Sequence, residues 1–357
     1  MAIEVKYKDG VKVEEKIFKI LAKFSPDGVL DVFASDQHNS YLKLGETFLK
    51  HIGESRKSTD ADVKEICLRF AKNLSGIATA ALFNHFAYLT PDFKKTLGEN
   101  VLLIGRLEDT NTINIDGGKG QITKLAVQPE EVVDKVDGFK ILVKLNPDNK
   151  ESWEKNLIFA KDVFERANKL GRPLFTETIL VQEPGEDKKS FAKRLPEGLI
   201  KMAEDFGAIG HFYKTQVPLL WIEEDGKIIN ISSPQVVRDT ASEMEKISPR
   251  PILLLSAAVD FEQYVAQYGI VSDIICGPMC GRAYFKESFT DPETKNWDTL
   301  EKSFVKIAIP RIKIIKKLAQ SMSKPWWSKF SEMSGEAKAL LKPSTRESVS
   351  VKADFGY

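Results

Sequence analysis

Eight short apolar runs, separated by longer charged and amphipathic stretches, dominate this chain and leave few architectures open to it. The runs fall at 29–34 (VLDVFA), 78–83 (ATAALF), 101–105 (VLLIG), 139–145 (FKILVKL), 174–180 (LFTETIL), 210–217 (GHFYKTQV), 252–259 (ILLLSAAV) and 273–280 (DIICGPMC). Continuous apolar character over this length suits strands buried on both faces, as in a parallel sheet. The stretches between them read as helices. Residues 62–77 carry apolar side chains at Val63, Ile66, Leu68, Phe70, Ala71 and Leu74. Further helices are expected at 150–170, 188–206, 234–247 and 303–319, the last kinked or divided at Pro310. Strand and helix alternating eight times is the sequence form of a single α/β barrel, the (β/α)8 or TIM barrel. The competing architecture, an open doubly wound sheet, needs a glycine-rich phosphate turn after its first strand. Ser35-Asp36-Gln37-His38-Asn39 stands there instead.

The barrel is expected to occupy residues 1–330, and residues 331–357, where the chain turns polar, to form a mobile C-terminal tail. Residues 111–121 read as a loop or small hairpin after strand three, and their Gly-Gly-Lys-Gly lacks the spacing and the Ser/Thr of a phosphate-binding Walker loop. Trp326-Trp327 is expected to pack the last helix onto the barrel. The 52 basic and 51 acidic residues nearly cancel, so no global field favours nucleic acid or an anionic membrane, and any anion site must be local. Three cysteines do not make a disulfide framework. The charged start lacks the apolar segment of a signal peptide, and no run approaches the roughly 20 apolar residues that span a bilayer, so the cytoplasm is the expected location.

In such a barrel chemistry sits where strands end and loops begin. Six polar residues lie inside or just after the apolar runs: Asp36, Lys140, Glu177, Lys214, Ser256 and Arg282. Lysine is almost never fully buried unless paired, yet Lys140 and Lys214 stand within strands four and six. Amine catalysis gives one reason: a neutral amine attacks a ketone, and the protonated imine draws electrons from the neighbouring carbon–carbon bond. Desolvation and a second nearby cation both help the amine to lose its proton. The plainer reason is that either lysine reaches the rim or pairs with a carboxylate. Glu177 is placed to shuttle protons or to form a structural ion pair. Asp36 is placed to bind a substrate hydroxyl or to cap the following helix. Ser256, with Gly281 and Arg282, falls where the loops after strands seven and eight commonly bind phosphate. There glycine permits close backbone approach and arginine offers a bidentate fork.

Other groups fit chemistry less well. Cys276 and Cys280 form a lone C-x3-C that reads as core, since zinc sites need more ligands at closer spacing. His38 and His85 follow strands one and two and are the basis of a metal-dependent lyase reading, which calls for about three converging ligands.

The ordered set resembles the class I aldolases of the tagatose-1,6-bisphosphate aldolase family, whose relatives include sulfofructosephosphate aldolase. The resemblance rests on Ala34-Ser35-Asp36-Gln37, on Val136-Asp137-Gly138-Phe139-Lys140-Ile141-Leu142-Val143 and on Leu174-Phe175-Thr176-Glu177. It continues through Phe212-Tyr213-Lys214-Thr215-Gln216-Val217-Pro218, Leu255-Ser256-Ala257 and Cys280-Gly281-Arg282-Ala283. It implies Lys214 as the imine former, Lys140 as the neighbouring cation and Glu177 as the proton shuttle. It further implies Asp36 and Gln37 on substrate hydroxyls, and Ser256, Gly281 and Arg282 on a terminal phosphate or sulfonate. Three positions depart from the family pattern: His38 where arginine is usual, Asn84-His85 where a carboxylate is usual, and Gln216 where a glutamate is common. All three alter charge around the pocket and bear on the substrate rather than on the imine.

The expected function is reversible cleavage of a phosphorylated or sulfonated ketose, releasing dihydroxyacetone phosphate or a related three-carbon unit. No cofactor or metal is called for, because the imine is the electron sink. The expected partner is the small-molecule sugar phosphate or sulfonate, with self-association into a homo-oligomer. Two other readings remain open from sequence: a catalytically idle sugar-phosphate sensor or scaffold, and the metal-dependent lyase.

Overall fold

The computed structural model describes residues 2–342. Eight parallel strands close into a barrel: β1 (Val32–Ser35), β2 (Ala80–Phe83), β3 (Leu102–Arg106), β4 (Gly138–Leu145), β5 (Leu174–Leu180), β6 (Phe212–Thr215), β7 (Ile252–Leu254) and β8 (Gly277–Cys280). Each pairs with its neighbours in chain order, and β8 closes on β1. This is the (β/α)8 barrel expected from the eight apolar runs. The pairing places Lys140 level with Arg106 on β3 and Phe175 on β5, and Glu177 level with Lys214 on β6.

Alternation along β4 shows how the strands divide the core. Phe139, Ile141 and Val143 point outward into the apolar layer shared with the surrounding helices. Lys140 lies on the opposite face, inside. The interior is filled by a separate cluster that includes Val32, Ala34, Ala80, Leu82, Leu102, Ile104, Phe175, Phe212, Leu253 and Met279. Charged side chains lie above this layer. The helices are stopped by ordinary capping chemistry. Thr59 and Asp62 form a capping box for Asp60–Ala71, and Asn149 accepts from the Ser152 amide at the start of Lys150–Leu170. That second helix ends on Gly171, whose φ of 64° is left-handed.

Several boundaries differ from the sequence expectation. The run 252–259 is a strand only over Ile252–Leu254, because Ala257 and Ala258 take φ values of 45° and 64°, which break the extended chain just after Ser256. Strand eight starts at Gly277 rather than at 273. The final helix runs unbroken from Trp297 to Met322 through Pro310, since Leu300, Phe304, Ala308, Ile312, Ile315 and Ala319 are buried along its length and outweigh one lost backbone hydrogen bond. Residues 111–121 do hold a hairpin, Ile113–Ile115 against Gly120–Ile122. A second one, Trp221–Glu224 against Lys227–Asn230, follows β6.

The expected tail from 331 onward needs correction. Phe330–Met333 forms an antiparallel pair with Val5–Tyr7, and the helix Gly335–Ala339 buries Ala337. These segments, with the helix Glu15–Phe24, cover the end of the barrel where the strands begin. Residues 343–357 of that expected tail lie outside the described residues. Trp326 also differs: it fills this covered end, edge-on to Phe18 and Phe330, and donates from Nε1 to Ser25 O at 2.8 Å, so it closes the barrel instead of fixing the last helix. No helix among the described residues is long and apolar enough to cross a membrane.

Candidate active site

At the open end of the barrel the polar residues from successive strands converge. Asp36 follows β1 directly, Lys140 is the third residue of β4, Glu177 the fourth of β5 and Lys214 the third of β6. The two lysines are each 1% exposed, which means their ammonium groups must be satisfied within the barrel. Lys140 Nζ lies 2.8 Å from Asp36 Oδ2, 2.7 Å from Glu108 Oε1 and 2.8 Å from Glu177 Oε2. Lys214 Nζ donates to the same Glu177 oxygen at 2.9 Å. The two lysines expected to share a cavity meet instead at one carboxylate oxygen, which lies between the two cations, and of the two it is Lys214 that lines a cavity.

The electrostatics follow from burial and these partners. Burial pushes the Lys140 ammonium toward its neutral form, yet Asp36, Glu108 and Glu177 outweigh it and raise its pKa above the ordinary lysine value. Burial also favours the neutral form of Asp36, but Lys140, Lys214 and Arg106 overcome it and bring that carboxyl down to about 2. Glu108 goes the other way: burial, only partly offset by Lys140 and Arg106, pushes it up to about 7.

Two lobes meet at this cluster. One, of about 260 Å³, is lined by Lys214, Glu177, Gln216, Ser256, Gly281 and Arg282 among others. The second, of about 210 Å³, is lined by Asp36, Arg106, Glu108, Lys144 and Thr112 among others. Gln37, Leu142 and Arg282 border both. Gln37 Nε2 donates to Asp36 Oδ1 at 2.5 Å, and Arg282 donates to Ser40 Oγ at 3.0 Å. Ser256 and Arg282 thus reach the lobe that holds Lys214. Gly281 lines it too, and a side chain there is excluded because a Cβ would lie 2.1 Å from Ala34 O, across the seam where β8 meets β1. A larger groove of about 890 Å³ beside Trp221 has no titratable group in its wall.

Sequence reasoning missed Arg106 and Glu108. Both stand just after the third apolar run, where the criterion that found Asp36 also applies. Arg106 donates to Asp36 O at 2.5 Å and so ties the end of β3 to the loop after β1.

Of the three positions that depart from the family pattern, Gln216 lines the Lys214 lobe and the other two have local partners. Asn84 caps the short helix His85–Tyr88 by accepting from the Ala87 amide. His38 Nε2 lies 2.7 Å from Asp60 Oδ1, and the His38 ring stacks on Phe86 while the His85 ring packs against it at a tilt. Burial, reinforced by Arg106 and His38, lowers the His85 pKa to about 4. Among the described residues no three His, Cys, Asp or Glu side chains are arranged to hold a metal ion. Cys276 and Cys280 are buried and unbridged.

Comparison with known proteins bears on the barrel alone. Neither a family model nor a curated protein matches this chain. Among solved structures, the fructose-bisphosphate aldolase of Plasmodium falciparum, in complex with TRAP and a small-molecule inhibitor, superposes with a TM-score of 0.64 at 10% identity, covering 87% of this chain and 97% of that one. The Corynebacterium glutamicum protein Cgl0159 superposes with a TM-score of 0.51 at 15% identity, covering 81% and 92%. The likeness is one of fold. At such identity shared ancestry of the site must be argued from the side chains themselves.

Proposed function

We propose that this chain is a class I aldolase that cleaves and forms a carbon–carbon bond of a phosphorylated or sulfonated ketose through an imine on Lys214. The observation that carries this reading is the unequal satisfaction of the two buried lysines. Lys140 donates to Asp36 and Glu108 and has Glu177 Oε2 as a third carboxylate oxygen at 2.8 Å. Its pKa, raised by those three carboxylates against the effect of burial, favours the protonated form, which is not a nucleophile. Lys214 is held by Glu177 alone among the described residues and lines the cavity. The roles implied by the resemblance, Lys214 as nucleophile and Lys140 as fixed cation, follow the same division.

In this scheme Lys214 attacks the substrate ketone, and Glu177, in contact with its nitrogen, moves protons as the carbinolamine forms and loses water. The protonated imine then takes the electron pair of the bond being cleaved and becomes an enamine. The released carbon keeps its oxygen as a carbonyl as its hydroxyl proton passes to Glu177, which then returns a proton to the enamine carbon so that the imine can be hydrolysed and Lys214 freed. Lys140 stays charged and fixes Asp36 and Glu177 in place, while Asp36 and Gln37 orient hydroxyls. Ser256, Gly281 and Arg282 hold the terminal anion at the other end.

Borohydride reduction during incubation with ketose phosphates and sulfonates tests the reading. An aldolase acquires a covalent adduct and releases a three-carbon unit from at least one member of the panel, whereas a sensor barrel acquires none. Activity should persist in full with a chelator, and its loss there would favour a metal-dependent lyase. Arg282→Ala is expected to raise KM by roughly 5- to 150-fold with little change in kcat, about 1–3 kcal/mol for a lost charged hydrogen bond.

A further inference from the structure

Glu108 has no part in the scheme above, yet it is the least satisfied carboxyl in the site. It is 3% exposed, with Oε1 at 2.7 Å from Lys140 Nζ and Oε2 buried without a hydrogen-bond partner among the described residues. A buried acceptor left unpaired costs free energy and calls for an explanation. Asp36, on the same ammonium, differs: Gln37 Nε2 holds its Oδ1 and Lys140 Nζ its Oδ2. The contacts around Lys140 also form an unbroken chain, from Lys214 Nζ to Glu177 Oε2 (2.9 Å), on to Lys140 Nζ (2.8 Å) and on to Glu108 Oε1 (2.7 Å).

We infer that Glu108 is a positioning residue that stores the proton Lys214 must shed, receiving it through Glu177 and Lys140. The inference rests on the imine reading. The transfer balances. Lys214 gives a proton to Glu177, and Lys140 takes one from Glu177 while passing one of its own to Glu108. Lys214 ends as the neutral amine and Glu108 as the neutral acid, while Glu177 and Lys140 end as they began. The amine adds to the ketone to give the carbinolamine. The stored proton then returns along the same chain to the carbinolamine hydroxyl, which leaves as water and generates the protonated imine. Nothing is consumed beyond ketone and lysine.

Glu108 is surrounded by groups that leave it as the one to titrate near neutrality. Facing it are Asp36 from the loop after β1, Tyr88 from the helix His85–Tyr88, Arg106 on its own strand, and Lys140 and Lys144 from β4. Its neighbour Asp109 is turned toward Lys124. Burial places Glu108 at about 7, far above Asp36 at about 2. A group near the working pH both takes and returns a proton readily.

The test is the rate of reductive trapping of dihydroxyacetone phosphate on Lys214, measured with cyanoborohydride from about pH 5 to 9. Wild type, Glu108→Gln and Glu108→Asp are compared, each with its melting curve. The wild-type rate should rise through a step near pH 7. The glutamine variant should be slower on the order of 10²-fold and lack the step. The aspartate variant should recover part of the rate with the step displaced. A glutamine variant with the wild-type rate and step overturns the role given to Glu108 and leaves the imine standing. No adduct in any protein at any pH overturns the imine and the relay together. If the glutamine variant fails to fold, the aspartate variant decides: a displaced step supports the relay, and an unmoved one ends it.

Discussion

Lys214→Met is expected to abolish turnover, a loss on the order of 10⁴-fold or more, in a protein that still folds. The substitution removes the only nucleophile the scheme provides while keeping most of the apolar volume. The stability cost is held down by Glu177, which loses one cation and keeps the other: Lys140 Nζ remains 2.8 Å from the same oxygen. An orphaned buried charge costs about 3–5 kcal/mol, and here no charge is orphaned. The variant should therefore melt close to wild type and bind the substrate anion through Arg282, with trapping absent. Residual turnover at the wild-type level would show that another group forms the covalent bond.

Lys140→Met should do the reverse and strike stability hardest. It leaves Asp36, Glu108 and Glu177 facing one another without their common donor. Breaking one buried pair costs about 3–5 kcal/mol, and three acceptors losing one ammonium should reach the upper part of that range. The sign of the pH dependence is fixed. Without Lys140, burial and mutual repulsion raise the folded-state pKa values above the unfolded ones. The folded state then binds more protons, so stability is present at low pH and is lost as pH rises through the raised values. In the wild type Glu108, already at about 7, behaves in that way, as does Asp31, which burial also raises to about 7. Asp36, at about 2, has the opposite slope: its contribution is present above the ordinary aspartate pKa and disappears as pH falls toward 2. Denaturant midpoints should show the variant weakest at about pH 8 and partly recovered near pH 5. A loss independent of pH would mean that packing, rather than charge, sets the cost.

The barrel was legible because its signal is physical and repeated: strands buried on both faces must be apolar throughout, and 357 residues contain eight such runs. Their ends were less legible. The run 252–259 stays apolar beyond the strand because Leu255 packs against the cavity and Ala257 and Ala258 fit a left-handed turn, and composition does not report φ. The covered end of the barrel was missed for a related reason. Phe330–Met333 buries none of its residues fully and exposes Ser331 and Glu332, and its partner strand lies more than three hundred positions earlier, so the segment carries no local sign of the pairing. Within the site, lysines inside apolar runs stood out because burying them is so costly. Glu108 did not: it sits two residues past β3, within reach of the criterion that found Asp36, but its stretch looks like ordinary polar loop and its contact with Lys140 is a matter of geometry.

The account turns on which nitrogen carries the substrate. Peptide mapping by mass spectrometry, after borohydride reduction in the presence of a cleavable ketose phosphate, locates the adduct directly. The prediction is a single modification on the peptide containing Lys214, with the Lys140 peptide unmodified. An adduct on Lys140, or substrate cleavage that proceeds with neither lysine labelled, would contradict it.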